Sequence, residues 1–224
     1  RALFRMITLA GGLDYHDFVL ALKDDTVTIA DVYIYASGEF FSDSLRRLVL
    51  PTLVRQDKSL LSKLLEQDTA FAKHLDDVKA LGAARMAGDF DEMLAIYDRF
   101  PPELKKDKSM MLNRLLAESG KDLASEGYMQ VMADMQAAFP GDPCLDIVLI
   151  DHYFSLKEYS KAHLCINSLR LSTGGDPYLD FIDGGLFFTE GRYDEAIAHY
   201  ETAIAAEKTL KAPYLGLLTV ALEQ

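Results

Sequence analysis

The feature that most constrains this chain is a repeat with a period of 34 residues in its C-terminal half. Tyr159 and Ala162 recur at this spacing as Tyr193 and Ala196. A repeat of this length is typical of a pair of antiparallel helices, which cannot bury its apolar face alone and therefore stacks on neighbouring pairs. The period predicts a mainly α-helical solenoid built from helix pairs.

Two breaks rich in proline and glycine separate the predicted helix pairs. Residues 140–143 read Pro-Gly-Asp-Pro and residues 174–177 read Gly-Gly-Asp-Pro, and both residue types end helices. The pattern predicts helices over 144–156, 159–171, 178–190, 193–206 and 211–223. Less regular helices are predicted from residue 42 onward, including a short one that Asp57 caps and that carries Leu60, Leu61, Leu64 and Leu65.

The first 41 residues follow a different pattern. Residues 2–10 are apolar enough for a short helix, whereas 15–22 and 26–35 are rich in strand-forming residues. The polar residues between these two strands form a turn, so an antiparallel hairpin is expected. An isolated hairpin is marginal in water, so this one must dock on helices or pair with further strands.

Residues 191–204 resemble the second helix of a tetratricopeptide repeat (TPR). That family places a small residue, a large residue four positions later and a small residue three further on, and here these are Ala196, Tyr200 and Ala203. The small residues let neighbouring helices approach, and the aromatic ring fills the gap between them. The two preceding copies hold, at the same positions, Ala162, Ile166 and Leu169, and Tyr128, Met132 and Met135.

The resemblance covers roughly residues 74–224. It implies a TPR-like α-solenoid of antiparallel helix pairs, preceded by a small N-terminal helix and a two-stranded β-hairpin. The expected organisation is a helix-and-hairpin segment at 1–41, connecting helices at 42–73 that pack on the repeats, and a TPR-like repeat domain at 74–224. Members of this family typically act as non-catalytic scaffolds or adaptors that hold another protein, so no enzyme activity is expected.

The resemblance also implies a concave groove lined by the first helix of each pair. The family's inward positions fall on Ile147, Asp151, Phe154, Tyr178, Phe181, Phe188, Leu215 and Thr219. This lining is apolar and aromatic, and it suits a hydrophobic peptide or an amphipathic helix. The lysine and asparagine with which some members grip a peptide's carboxylate are absent from these positions. The alternative is that another part of this chain fills the groove.

Composition excludes several classes of function. The net charge of −12 argues against nucleic acid and anionic membranes as partners. Cys144 and Cys165 are isolated, no histidines have metal-ligand spacing and no nucleotide-binding fingerprint occurs, so neither metal nor cofactor is expected. No apolar run reaches the roughly 18 residues of a membrane span. No signal peptide is visible, which favours the cytoplasm, while Arg1 as the first residue leaves a removed leader open.

Two alternative functions remain open. The repeats would be an accessory to a catalytic or ligand-binding protein if a site lies near the hairpin, where His16 and Asp31 are the candidate residues. If Asp31 is buried, its pKa should rise and the residue becomes a candidate for such a site. If Asp31 instead lies on an edge strand, its charge discourages aggregation. The second alternative is a structural protein that self-associates through its C-terminal helix, whose apolar face needs cover.

Overall fold

The computed structural model describes residues 1–7, 12–56, 66–123 and 125–223. Within these ranges the chain forms four β-strands followed by twelve α-helices. The fold is mainly helical with a small antiparallel sheet at the N-terminus, as the sequence predicts. The chain divides into two compact units, Arg1–Pro140 and Gly141–Gln224. The organisation into segments at 1–41, 42–73 and 74–224 stays a prediction.

The first unit opens with a four-stranded antiparallel meander. Its strands are β1 Ala2–Ile7, β2 Leu13–Lys23, β3 Thr26–Ile34 and β4 Glu39–Phe40, in the order β1-β2-β3-β4. The turn between β2 and β3 places Asp24 and Asp25 at φ of 50° and 59°. Two consecutive left-handed residues give the twist that a two-residue hairpin loop requires, and aspartate tolerates this conformation.

The prediction of a helix over residues 2–10 is wrong. Ala2–Ile7 instead form β1, which pairs with β2 from Ala2 opposite Phe18 to Ile7 opposite Leu13. A short apolar segment reads equally well as helix or strand, and pairing along the whole of β1 satisfies backbone groups that a two-turn helix would leave free. The predicted two-stranded hairpin is therefore the centre of a four-stranded sheet.

Seven helices complete the first unit as it is described. They are α1 Phe41–Gln56, α2 Glu66–Lys73, α3 Leu75–Ala87, α4 Phe90–Arg99, α5 Pro102–Lys105, α6 Lys108–Lys121 and α7 Glu126–Ala138. In three of them the N-cap residue itself supplies the capping side chain: Asp89 for α4, Asp107 for α6 and Ser125 for α7. Met93, Ile96 and Leu104 lie in the core that α3 to α6 share. The short helix predicted after Asp57 lies outside the described residues.

The second unit contains the regular helix pairs. Its helices are α8 Pro143–Ser155, α9 Tyr159–Thr173, α10 Pro177–Thr189, α11 Tyr193–Ala206 and α12 Ala212–Glu223, which confirms the five helices predicted from residue 144 onward. Asp142 and Asp176 each cap a helix whose first residue is proline, a position where the missing N–H costs nothing. The two breaks thus begin successive repeats in the same way.

Tyr200 explains the small-large-small pattern of the repeat. Its ring is buried in a cluster with Ala196 and Val220. A Cβ atom added to Gly184 of α10 would lie 2.7 Å from that ring, and one added to Gly216 of α12 would lie 2.6 Å from it. Both helices therefore approach α11 closely because glycine leaves room for the aromatic ring between them.

Candidate functional site

The predicted groove residues lie on the first helix of each pair. Ile147, Asp151 and Phe154 follow a spacing of four and three along α8, which places them on one helical face. Tyr178, Phe181 and Phe188 lie on α10, and Leu215 and Thr219 lie on α12. The residues of each helix thus share a stripe, and their role in binding stays a prediction.

Two of the predicted residues offer apolar surface to solvent. Phe154 is 43% exposed, and its ring centroid lies 6.1 Å from that of Tyr159. Leu215 is 64% exposed, and one turn further on the exposed Thr219 donates its hydroxyl to the Leu215 carbonyl at 2.9 Å. Both side chains are exposed to water in the free chain. A partner that covered them would therefore remove apolar surface from water, which stabilises a complex.

The aromatic residues of α10 are more deeply buried than Phe154 and Leu215. Tyr178 is only 5% exposed and packs 5.3 Å, between ring centroids, from Phe181. Phe181 is half-buried, 6.0 Å from Tyr200, and Phe188 is half-buried, 5.7 Å from Tyr193. Tyr178 therefore belongs mainly to the core, while the two phenylalanines present part of each ring and pack on the core with the rest.

Asp151 is the acidic member of the predicted groove. Its side chain is exposed, yet crowding by neighbouring protein atoms raises its pKa through desolvation. A carboxylate that has lost part of its hydration gains more from a cationic partner than a fully hydrated one. The part that Asp151 plays in binding stays a prediction.

A network of charged side chains, absent from the predicted site, ties α9 to α10. Asp183, 3% exposed, accepts from the guanidinium of Arg170 at 3.3 Å and contacts Nδ1 of His163. The Nε2 atom of His163 lies 2.7 Å from the Glu190 carboxylate, and Arg170 also donates to Asp180 at 2.8 Å. The signal in the sequence is the pair of acids three residues apart inside an otherwise apolar helix.

This network reaches α11 as well. His199 approaches Asp183 at 3.6 Å, and the ring of Phe187 lies between the rings of His163 and His199, with centroids 4.2 Å and 4.9 Å away. Arg192 lies over the Phe187 ring at 4.4 Å. Because every carboxylate here contacts a cation or a histidine, the network ties the three helices together.

The alternative site residues are not brought together. In the strand register His16 lies opposite Ile34 and Asp31 lies opposite Val19, so the two side chains emerge on opposite faces of the sheet. His16 instead contacts Asp14, with Nε2 3.1 Å from a carboxylate oxygen.

Asp31 has a structural role at the start of α1. Its carboxylate accepts from the Ser42 hydroxyl at 2.5 Å and from the Ser42 backbone N–H at 3.2 Å. These hydrogen bonds, the hydroxyl one first, lower the pKa of Asp31. The rise expected from burial is therefore not found, because the carboxylate is stabilised in its charged form at a helix N-terminus.

A cleft lined by charged and aromatic side chains opens beside the same end of the sheet. It has a volume of about 460 Å³ and is lined by residues that include Glu39, Arg47, Asp107 and Lys108. Arg47 forms an ion pair with Glu39 and lies 4.0 Å from Asp107, and Lys108 donates to the Gly38 carbonyl at 2.7 Å. These four charged side chains thus engage one another or the backbone.

Across the part of the chain that the structure describes, no group of three or more His, Cys, Asp or Glu residues is placed to hold a metal ion. Cys144 and Cys165 are free and buried. Desolvation raises the pKa of the Cys165 thiol to about 11, so it stays protonated and unreactive near neutral pH.

Among the described helices, none has both the length and the apolar character needed to cross a bilayer.

Comparison with known proteins supports the fold. No protein-family model matches the chain, and no curated protein sequence matches it. Two solved structures of MamA, a TPR-containing protein, are similar. MamA MSR-1 C2 has a TM-score of 0.52 and 15% sequence identity over 67% of this chain and 86% of its own. A MamA mutant has a TM-score of 0.50 and 16% identity over 67% and 89%. At this identity the similarity shows a TPR-like helical-repeat fold.

Proposed function

We propose that this chain is a non-catalytic scaffold or adaptor that holds a peptide or helix of a partner protein on the first helices of its repeats. The observation that carries the proposal is the exposed apolar surface of Phe154 and Leu215, at positions that the resemblance to TPR repeats assigns to the concave groove. The half-exposed rings of Phe181 and Phe188 extend this surface on α10. Aromatic anchors of this kind dominate the energetics of peptide recognition.

The partner segment is expected to be amphipathic and basic. An apolar face would cover the exposed side chains of α8, α10 and α12, and a lysine or arginine would lie opposite Asp151. The chain's net charge of −12 steers such a segment towards it and accelerates association at low salt.

The decisive experiment replaces the exposed pair and measures binding. A partner is first identified by pull-down with the intact chain and mass spectrometry, and its affinity is then measured by calorimetry. Phe154→Ser together with Leu215→Ser is expected to weaken binding by about tenfold or more, since each removes an apolar anchor worth about 1 kcal/mol or more. Because Phe181 and Phe188 also pack on the core, their replacement by alanine would abolish capture at some cost in stability.

The matched control removes similar apolar surface from the second helices. Leu164 and Leu171 of α9 are 68% and 85% exposed, so Leu164→Ser with Leu171→Ser leaves the proposed surface intact. Circular dichroism should show unchanged helicity for both double variants. Equal loss of affinity in the control, or full affinity in the groove variant, would show that the partner binds elsewhere.

Self-association through α12 is a second candidate. Leu215, Leu218 and Leu222 of this helix are all more than half exposed, so an apolar stripe faces solvent along its length. A second copy of the helix would cover it as the next helix of a repeat covers its neighbour. Leu218→Ser with Leu222→Ser should then shift the chain to monomer in sedimentation experiments, and an unchanged association constant would remove this candidate.

A further inference from the structure

The cleft beside the N-terminal sheet has a charge balance opposite to that of the whole chain. Its volume of about 460 Å³ lies within the range of about 300–1,000 Å³ that is usual for ligand sites. Among the residues that the structure describes, its lining includes four cationic side chains and three carboxylates, whereas the whole chain has 23 and 35. The cations are Arg46, Arg47, Lys106 and Lys108. The cleft therefore offers an anion a more favourable environment than the acidic chain does on average.

Two of these cations are held in place by the protein. The Arg47 guanidinium pairs with Glu39 and lies 5.2 Å from the ring centroid of Phe71. Lys108 donates to the neutral carbonyl of Gly38 at 2.7 Å. Because side chains that are already fixed lose little conformational freedom when a ligand binds, these two cations are preorganised for an anion.

Two of the carboxylates in the cleft are stabilised by donors of the protein itself. Glu39 accepts from the Ser44 hydroxyl and pairs with Arg47. Asp107 caps α6 and accepts from the backbone N–H of Ser109 at 3.0 Å and from its hydroxyl at 2.7 Å. The guanidinium and the positive end of the helix dipole offset these two charges. Both carboxylates therefore repel an incoming anion less than fully exposed carboxylates would.

The other two cations lie at the rim of the cleft. Arg46 of α1 and Lys106, which follows α5, are both exposed. The third carboxylate, Asp43 in the first turn of α1, is exposed as well. Four cations against three carboxylates leave the lining with an excess of one positive charge. This excess suits a singly charged anion better than a doubly charged one.

Aromatic rings lie next to the cations of the cleft. The Lys108 ammonium is 4.9 Å from the ring centroid of Phe139 and 6.0 Å from that of Tyr33. Both rings are half-buried, and Phe40, whose centroid lies 5.3 Å from that of Tyr33, is 38% exposed. A ligand that carries its negative charge on an aromatic ring would therefore remove apolar surface from water as its charge meets the cations.

We propose that this cleft binds an aromatic carboxylate, with the anionic group among the cations and the ring against the aromatic side chains. The carboxylate belongs either to a free aromatic acid or to the C-terminal aromatic residue of a peptide, because both present the same chemical group. The cleft is formed by residues of the first unit, whereas the groove residues of the proposed scaffold belong to the second. The two sites can therefore be tested independently.

Titration of the full chain with phenylacetate, followed by calorimetry, tests the proposal. A dissociation constant of about 1 mM or lower is expected, which about ten non-hydrogen atoms can supply. Phenylacetamide lacks the charge and inorganic phosphate lacks the ring, so each should bind about tenfold more weakly or worse. The peptide Gly-Gly-Phe with a free carboxylate, compared with its amidated form, identifies the source. Tighter binding of the free peptide than of phenylacetate assigns the cleft to a peptide C-terminus, and the reverse assigns it to a free acid.

Charge reversal at the rim shows whether the ligand binds in the cleft. Arg46→Glu with Lys106→Glu should raise the dissociation constant of phenylacetate by about tenfold or more, because two attractive charges become repulsive. The matched control is Lys208→Glu with Lys211→Glu, at two exposed residues of the second unit. It changes the net charge equally and should alter the affinity by less than about twofold, because solvent and salt screen distant charges. Circular dichroism should show unchanged helicity for both variants.

Several outcomes would overturn the proposal. Neither phenylacetate nor the free peptide could bind, or phenylacetamide or phosphate could bind as tightly as phenylacetate. The control could also lose as much affinity as the rim variant, which would mean that only the overall charge matters. A second measurement locates the ligand directly. The NMR signals of the Tyr33 and Phe139 rings should shift during the titration, and unchanged signals would show that the ligand binds outside the cleft.

Discussion

The N-terminal sheet and the C-terminal helix pairs treat their apolar residues in opposite ways. In the helix pairs, Tyr200 is enclosed by α10 and α12 because Gly184 and Gly216 leave space for its ring. In the sheet, Leu22 and Ile29 extend into solvent although their strands are as apolar as the helices. A helix pair that repeats along the chain receives its cover from the next pair. A sheet that occurs once is covered only where the helices of the first unit reach it, and residues 19–30 are exposed on both of its faces.

The largest expected effect tests how strongly the helix pairs depend on this enclosure. Tyr200→Ala should lower the free energy of unfolding of the second unit by about 3–5 kcal/mol, because it empties a buried site between three helices. Urea unfolding followed by circular dichroism measures the loss. The control Leu171→Ala on the exposed side of α9 should change stability by less than about 0.5 kcal/mol. A small effect at Tyr200 would mean that α10 and α12 can close around the gap.

The charged network is the second test of the same helix pairs. Asp183→Asn removes the charge of a buried carboxylate that accepts from Arg170 and contacts His163, and it should cost about 1–3 kcal/mol because the hydrogen bonds to these two partners are weakened. The change is measured by urea unfolding at neutral pH. Asp180→Asn, at a less buried carboxylate with one hydrogen bond from Arg170, is the matched control and should cost clearly less. Equal losses would show that the network acts as a unit.

A smaller effect is expected where the sheet joins the helices. Asp31→Ala removes the carboxylate that accepts from Ser42 at the start of α1, and the loss of a helix cap should cost about 1 kcal/mol. Since the pKa of Asp31 is lower in the folded chain than in the unfolded one, its contribution is present above the ordinary aspartate pKa of about 3.9 and disappears as the pH falls through the lowered value.

Unfolding measured at neutral and at acid pH checks this dependence. The stability difference between wild type and Asp31→Ala should shrink towards zero at the acid end. Asp31→Asn is the control, because it retains an acceptor oxygen and loses the charge. A difference that stays constant with pH would contradict the capping role.

The smallest effect is expected at the exposed end of the β2–β3 hairpin. Leu22→Thr with Val27→Thr should change the stability of the monomer by no more than about 0.5 kcal/mol, because both side chains are already exposed in the folded chain. Measured at a concentration where the chain is monomeric, this result contrasts directly with Tyr200→Ala. A loss of several kcal/mol would mean that these two side chains are covered within the chain itself.

The sequence predicts the helix pairs well because their signals are local. An aspartate followed by a proline, as at 142–143 and 176–177, favours the start of a helix through local interactions. In α8 and α10 the aspartate forms the observed N-cap and the proline is the first helical residue. The small-large-small pattern of the repeat likewise predicts that Tyr200 lies between small residues. The hairpin of β2 and β3 is predicted for the same reason, from alternation and a short polar turn.

Burial along α10 could not be predicted in the same way. Tyr178 and Phe181 occupy adjacent positions in the same predicted stripe, yet the structure buries the first and leaves part of the second open. The periodicity of one helix identifies its apolar face, but the depth of each residue depends on how closely the neighbouring helices approach. The network around Asp183 escapes prediction for the same reason, since its members come from three helices.

The sequence by itself determined the mainly helical class, the phase of the C-terminal repeats and the residues on each first helix. Only the tertiary structure decided that Ala2–Ile7 form a strand, that Asp31 caps α1 and that residues 19–30 of the sheet stay exposed. Spacing and capping act over a few neighbouring residues and can be read along the chain. Strand pairing and coverage join residues distant in sequence, and their free energy exists only once those residues meet in the folded chain.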